Sequence, residues 1–484
     1  MKSINLCGIF IVFIILVSGI YINAAHLDLL DNVKAEILNV DESKIQMSWT
    51  FNVEDPGKFS CLTLEKPIDT KTWTLNGKEI PFPLKGVGFA EVAGIPASML
   101  KKEQNTLCLE YSSKDKKTLE NASRWNIRLR GMSPEDLEFT TGPILGLCGT
   151  DYFSVSCRTN MPATVTAKSG KTSIVSENGI FHFFKFSGLN PGGKYDVSVT
   201  AASGNLTKDM DKFTAHTLGT GNEFMFIALG DSRSNPNDWT KVTDAVIKSS
   251  PSLVLHSGDM VADGRSDPLW DRDLFGPSKK LFSSVPVFPV LGNHEGNSPI
   301  FHKFFAGGEN QLKNWSVSAG GCLFIGIDGD LNWTSDSENY KWLENILSDS
   351  KDKFIFLTTH YPPWSSGPHG GMIDGKIKER QVSEARNHIM PMLKKYNVSA
   401  LIAGHDHFYE RSEPDDGITV IITGGAGAPR YGKTAKGEEQ NPWSKAFSSK
   451  LNYCIFDIKN DTCKMTAFAP DGEKLDEKEF KARK

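Results

Sequence analysis

Phe224-Met-Phe-Ile-Ala-Leu-Gly-Asp231 decides how this chain is read: six consecutive apolar residues that end at a glycine and a carboxylate. An unbroken apolar run reads as a strand buried on both faces, as in a sheet covered by helices. The same arrangement recurs downstream. Leu253-Val-Leu255 leads to Gly258-Asp259, and Val287 to Leu291 leads to Gly292-Asn293-His294-Glu295. Phe354 to Leu357 leads to Thr358-Thr359-His360, and Leu401 to Ala403 leads to Gly404-His405-Asp406-His407. Leu323 to Ile327 and Val420 to Ile422 are further buried runs. Between them lie helical patterns: Trp239, Val242, Ala245 and Val246 share a face, as do Tyr340, Leu343 and Leu347, and Ile389, Met392 and Leu393. Alternating strand and helix predicts a layered α/β domain. Ligands of open α/β sheets bind beyond the carboxyl ends of the strands, so the five polar clusters are expected to converge.

What converges has a definite chemistry. Asp231 and Asp259 offer anionic oxygen, Asn293 a neutral oxygen, and His360, His405 and His407 a borderline nitrogen. A mixed oxygen and nitrogen set suits Zn, Fe or Mn better than Ca, and the absence of Cys argues against a closed structural zinc site. Six ligands exceed the needs of one catalytic metal and fit two that share a carboxylate, the arrangement used on phosphoesters. Any one of these histidines alone would more often be structural. Five clusters in order, each closing a buried run, are a metal-site pattern.

These motifs resemble the calcineurin-like metallophosphoesterases, and within them the purple acid phosphatase branch. Two further stretches are similar to that branch: His360-Tyr-Pro-Pro-Trp-Ser-Ser-Gly-Pro-His369-Gly and Gly404-His-Asp-His-Phe-Tyr-Glu-Arg411. The resemblance covers about residues 143–472 and implies roles by position. Asp231 and His407 would bind metal 1, Asp259 would bridge, and Asn293, His360 and His405 would bind metal 2. His294 would lie just outside the metals against the phosphate and leaving group, and His369 would be a second phosphate contact or proton donor. One departure is plain. The branch places a metal-binding Tyr three residues after the bridging Asp, where this chain has Ala262. Other superfamily members place a His two residues after the first Asp, where this chain has Arg233. Arg233 is expected either to hold a phosphate oxygen or to pair with Asp263 or Asp238. Without the Tyr, a colourless or weakly coloured enzyme is expected.

The rest of the chain sets the context. Its 484 residues carry a formal charge of −4 and 39 % hydrophobic residues. That excludes wholesale disorder and gives no basic surplus for nucleic acid. Residues 1–25 hold Lys2, an apolar stretch and Asn23-Ala24-Ala25, which reads as a signal peptide, leaving no stable membrane span after its cleavage; the rival reading is an N-terminal membrane anchor, since residues 4–22 are nearly long enough to span. Residues 26–140 read as an all-β domain. Residues 141–219 read as a second β segment, in which Leu189-Asn-Pro-Gly-Gly-Lys-Tyr195 resembles the tyrosine corner of fibronectin type III-like sandwiches. Residues 220–484 form the α/β metallophosphoesterase domain, ending in a β-hairpin, and the Lys/Glu-rich stretch Asp471 to Lys484 reads as solvated and frayed.

Six sequons, at Asn121, Asn205, Asn314, Asn332, Asn397 and Asn460, predict N-linked glycans and agree with export. Of eight cysteines, Cys7 lies in the signal; bridges Cys454–Cys463, Cys148–Cys157 and Cys61–Cys108 are expected, with Cys322 free. Together these readings predict a secreted or lysosomal/endosomal two-metal hydrolase of phosphorylated small molecules, an acid phosphatase acting on phosphomonoesters. The rivals are a phosphodiesterase with the same centre and a secreted adhesion protein with a degenerate enzyme domain.

Overall fold

The computed structural model describes residues 26–483 apart from 31–32, 42–43, 60, 66–71, 81–92, 114–126, 133–136, 204–205, 308–311, 374–375 and 415–416. The signal peptide and the sequons at Asn121 and Asn205 lie outside the described residues.

Two sheets form the α/β part. One orders Val287–Pro289, Leu253–His256, Glu223–Leu229, Tyr453–Lys459, Thr462–Phe468 and Lys474–Lys481, its first three strands parallel. The other orders Trp315–Ala319, Cys322–Gly326, Phe354–Thr358, Ala400–Ala403, Thr419–Thr423, Tyr409–Ser412 and Ser444–Ser448, with four parallel strands at its centre. Their inner faces meet on phenylalanines. The Phe226 ring lies 4.5 Å from Phe456, 4.9 Å from Phe356 and 5.0 Å from Phe324, in the stacked and edge-on arrangements that aromatic quadrupoles favour. Outside the first sheet, Ile227 and Leu229 pack on Trp239, Val242 and Val246 of the helix Pro236–Lys248. Outside the second, Ile325 and Leu357 pack on Leu343 and Leu347 of the helix Glu338–Asp349. The unbroken apolar strands are thus buried on both faces, in a helix–sheet–sheet–helix stack.

Two β-sandwich units precede it. In the first, strands such as Lys44–Phe51 and Asn105–Ser112 face Cys61–Glu65 and Arg128–Met132 across a core of Met47, Trp49, Leu62, Trp73, Leu107 and Leu129. In the second, the strand Tyr152–Ser169 pairs with Gly179–Ser187 through its first half and Lys194–Ser203 through its second, folding one sheet over on itself. The Tyr195 hydroxyl accepts from the Asn190 amide at 2.8 Å and donates to the Asn190 carbonyl at 3.3 Å, the expected tyrosine corner. Arg158 of this unit pairs with Asp267 and Asp271 of the α/β part. The two share one apolar cluster that runs from Phe153 to Phe226.

Four expectations are overturned, three disulfide bridges and the frayed chain end. Cys148, Cys157, Cys454 and Cys463 are buried free thiols. Cys148 faces Phe153 and Cys454 faces Ala467 in the strand registers, each four residues short of the proposed partner. At about 3.3 Å per residue the pairs stand roughly 13 Å apart, twice the reach of a disulfide. Cys108 is also free. It lies between the core residues Leu107 and Leu109, so strand alternation turns it away from the sheet of Cys61, whose side chain is outside the described residues. Cys322 is free and buried, as expected. The chain end is not frayed: Lys474–Lys481 closes the first sheet, and its Asp476 accepts from Arg411 Nε at 2.6 Å and Tyr409 at 2.7 Å.

The second sandwich contains a buried acid-sensitive group. His182 is 1 % exposed, bonded to Thr159 at 3.1 Å and Ser176 at 2.9 Å, and burial pushes its pKa down to about 4. Unfolded, it would titrate near 6.5. Between those values the unfolded chain binds the extra proton, so the contribution is complete above about pH 6.5 and is lost as pH falls towards 4. The loss is about 3 kcal/mol. Denaturation at pH 7 and pH 4.5 should show a shallower acid loss for His182→Asn than for the unchanged chain; equal slopes would contradict this account.

Candidate metal centre

Every expected donor stands just beyond a strand's carboxyl end: Asp231 after Glu223–Leu229, Asp259 after Leu253–His256, Asn293 after Val287–Pro289, His360 after Phe354–Thr358, and His405 and His407 after Ala400–Ala403. Three of them hold left-handed backbone, with φ of 57° at Asp231, 55° at Asp259 and 73° at His405. Non-glycine residues rarely adopt this region, and strain of this kind gathers at functional sites. The preceding glycines divide the work. Gly258 itself has φ 91°. Gly404 instead provides room: a Cβ there would stand 2.2 Å from Asp231 Oδ2.

One half of the cluster is a closed set of acceptors. His360 Nε2 lies 3.0 Å from Asn293 Oδ1, 3.4 Å from Asp259 Oδ1 and 3.1 Å from His405 Nδ1. The outer ring nitrogens fix the tautomers. His360 Nδ1 donates to the Ser257 carbonyl at 2.9 Å, and His405 Nε2 donates to Glu379 Oε2 at 2.8 Å. Both inner nitrogens therefore present lone pairs. His360 Nε2 thus gathers three other lone-pair atoms at 3.0–3.4 Å with no donor among the four, separations of the size that metal bonds of about 2.0–2.2 Å generate between ligands of one ion. This half fits a metal.

The other half does not fit in the same way. His407 Nδ1 donates to the Pro429 carbonyl at 2.8 Å, which leaves Nε2 as an acceptor 3.8 Å from Asp231 Oδ1. Arg233 lies among these groups, its Nε 3.2 Å from Asp259 Oδ2 and its Nη2 3.3 Å from His407 Nε2. Neither expected salt bridge of Arg233 forms, because Asp263 is taken by Arg265 and Asp238 by Lys241 and Arg430. Burial and the charge of Asp259 push the Asp231 carboxyl well above its ordinary range. Burial works against ionised Asp259 too, but His360, His294 and Arg233 outweigh it and hold that carboxyl below its ordinary range.

Around the donors stand the other expected residues. His294 Nδ1 donates to the Ala262 carbonyl at 2.7 Å, and its Nε2 lies 3.8 Å from Asp259 Oδ2 on the open side. The His369 ring lies 3.7 Å from that of His405. Two carboxylates had no role assigned from sequence. Glu295 accepts from the amides of Asp259, Met260 and Gly292 at 2.7–2.9 Å and so ties two donor loops together. Glu379 places one oxygen on His405 and the other, at 2.6 Å, on His369 Nδ1. Burial disfavours charged His369, but the bond to Glu379 and the charges of Asp406 and Glu379 together outweigh it and raise the His369 pKa. Glu295 was visible in its motif. Glu379 follows a two-residue strand, Lys376–Ile377, outside the two main sheets, so no long apolar run marked it. Tyr409, two residues after His407, is turned away to Asp476, to which its hydroxyl donates at 2.7 Å.

The layered α/β fold with oxygen and nitrogen donors at its strand ends is similar to that of one class, the metallophosphoesterases. Residues 224–409 match the calcineurin-like phosphoesterase family model, and the chain carries that domain. Within the class the similarity runs to purple acid phosphatases. The chain is 24 % identical over 279 residues to purple acid phosphatase 23 of Arabidopsis thaliana, covering 48 % of this chain and 58 % of the relative. It is 27 % identical over 213 residues to probable inactive purple acid phosphatase 24 of the same plant, covering 38 % and 34 %. The matches thus span about a third to somewhat over half of these relatives. A purple acid phosphatase from yellow lupin (Lupinus luteus) seeds shares the fold, with TM-score 0.63 at 14 % identity over 90 % of this chain and 93 % of that one. The family implies a dinuclear metal centre, of which one half fits here as described.

Proposed function

We propose that the chain is a metal-dependent phosphoester hydrolase that cleaves phosphomonoesters as an acid phosphatase does. Its catalytic unit would be residues 220–484, carried on β units at 26–140 and 141–219. The observation that carries this reading is the convergence of Asp259, Asn293, His360 and His405 as four acceptors, with His294, His369 and Arg233 beside them.

A metal held by those four residues supplies Lewis acidity to a phosphoryl oxygen and to water. The chain's own groups do the rest. Arg233 keeps a permanent positive charge at the mouth of the carboxylates and meets the phosphate's negative charge. His294, whose Nδ1 is held by a carbonyl, carries the proton for the leaving oxygen on Nε2. His369, with Nδ1 on Glu379, turns its other nitrogen to the phosphate.

The proposed location is outside the cell or in the lysosomal/endosomal lumen. The reading rests on the N-terminal apolar segment and on exposed sequon asparagines at 332, 397 and 460. Asn314 is held at both ends of its amide, by Asn339 at 3.2 Å and the Asp328 amide at 3.1 Å, and is not a proposed glycan site. Among the described residues no helix is long and apolar enough to cross a membrane.

A second reading is a metal-binding protein without turnover. Arg233 among the donors favours it, as do relatives named as probable inactive phosphatases. One experiment separates the readings: turnover of an alkyl phosphate and of its methyl diester by the metal-loaded full chain. Faster cleavage of the monoester is expected. Preference for the diester would convert the proposal to a phosphodiesterase, and bound metal with no turnover of either would establish the second reading.

A further inference from the structure

We infer that the guanidinium of Arg233 takes the place of one of the two metal ions that the family implies, so that the chain holds a single ion, at Asp259, Asn293, His360 and His405. The inference rests on the proposed assignment of those four residues as metal donors and concerns what stands beside them.

Arg233 satisfies the partners the second ion would have. Its Nε donates to Asp259 Oδ2 at 3.2 Å, the carboxylate expected to bridge. Its Nη2 donates at 3.3 Å to His407 Nε2, the imidazole expected on metal 1. That nitrogen is an acceptor because Nδ1 is committed to the Pro429 carbonyl at 2.8 Å, and an N–H now fills it. The Arg233 backbone amide bonds to the Asp259 carbonyl at 3.3 Å, so the side chain starts inside the cluster. Its side chain is only 15 % exposed.

Nothing nearby offers a replacement for the lost phenolate. Ala262 has no side-chain donor atom, and its carbonyl is held by His294 at 2.7 Å. The Tyr409 hydroxyl is committed to Asp476 at 2.7 Å and that of Tyr431 to Asp406 at 3.0 Å. A second ion would have only Asp231, His407 and a shared Asp259, beside a cation that cannot lose its proton in a protein. One divalent ion together with the guanidinium already exceeds the two negative charges of Asp231 and Asp259. The arrangement is self-consistent: the side of the cluster that lacks a phenolate, at Ala262, carries a fixed positive charge, at Arg233.

The test counts metal. The full chain is loaded with Mn²⁺, desalted, and measured for manganese content and by electron paramagnetic resonance. The expected result is one ion per chain with the signal of an isolated Mn²⁺. Arg233→His, which places an imidazole where other superfamily members have one, should hold two ions with an exchange-coupled signal. Arg233→Ala, checked for native circular dichroism, guards against a misfolded histidine variant and should also gain an ion. Two ions in the unchanged chain, none, or one in both folded variants would each overturn the inference. The count is independent of turnover. One bound ion with no phosphatase activity would sink the proposed function and leave this inference standing.

Discussion

Replacing His360 by alanine is expected to abolish stable metal binding and to lower monoester turnover by about 10³-fold or more. His360 is fully buried, and its Nε2 is the hub of the acceptor set, within 3.0–3.4 Å of Asn293, Asp259 and His405. Its Nδ1 is fixed on the Ser257 carbonyl at 2.9 Å, so the lone pair has one direction. Removing it leaves three donors and a gap. Lewis-acid stabilisation is worth several kcal/mol, and each 1.36 kcal/mol is tenfold in rate, so losing about 4 kcal/mol gives the stated factor. Metal content and turnover would be measured together. Unchanged metal content, or turnover within tenfold of the unchanged chain, would remove His360 from the centre. Intact metal with lost turnover would point instead to a cavity left in the strand end.

How much of this could be read in advance follows from what each residue's position depends on. The α/β stack was legible because runs such as Phe224–Leu229 need cover on both faces, and a strand's end follows from where its apolar run stops. Asp231, Asp259, Asn293, His360, His405 and His407 come together for that reason: the sheet topology fixes where strand ends meet. The cysteine pairs depended on register, which short spacing hides. Cys454 and Cys463 flank a turn, yet the hairpin aligns Cys463 with Ile458, not with Cys454. The last strand was hidden by its charges, because Lys474–Lys481 shows an apolar face only at scattered positions such as Phe480 and spends Asp476 on Arg411. Arg233 was visible as an anomaly, but its partner was not. Asp238 is nearer in sequence and Asp259 reads as a metal ligand, and only the fold shows that Asp238 and Asp263 are both occupied. Glu379 was invisible for the opposite reason: a charged loop residue between a glycine-rich turn and a helix is ordinary until two histidines are found on its oxygens.

The leaving group decides what His294 does. Its Nδ1–H is held by the Ala262 carbonyl at 2.7 Å, so any proton passed to substrate leaves from Nε2, which faces the open side 3.8 Å from Asp259. His294→Ala is expected to lower kcat by about 10²–10⁴ on an alkyl phosphate, whose alkoxide is too basic to depart unprotonated. A nitrophenyl phosphate releases a stable anion and should lose far less, so the ratio of the two losses is the measured quantity. His294→Asn serves as the control: it keeps a polar side chain but cannot deliver the proton, and it should follow the alanine variant on the alkyl ester. The backbone amide of His294 donates to Asp259 Oδ1 at 3.0 Å in either variant, so the carboxylate keeps that contact and metal content should be unchanged. Equal losses on both esters would show that His294 positions the phosphate and does not protonate the leaving oxygen. The proton donor would then be sought at His369, whose pKa is raised and whose Nδ1 rests on Glu379.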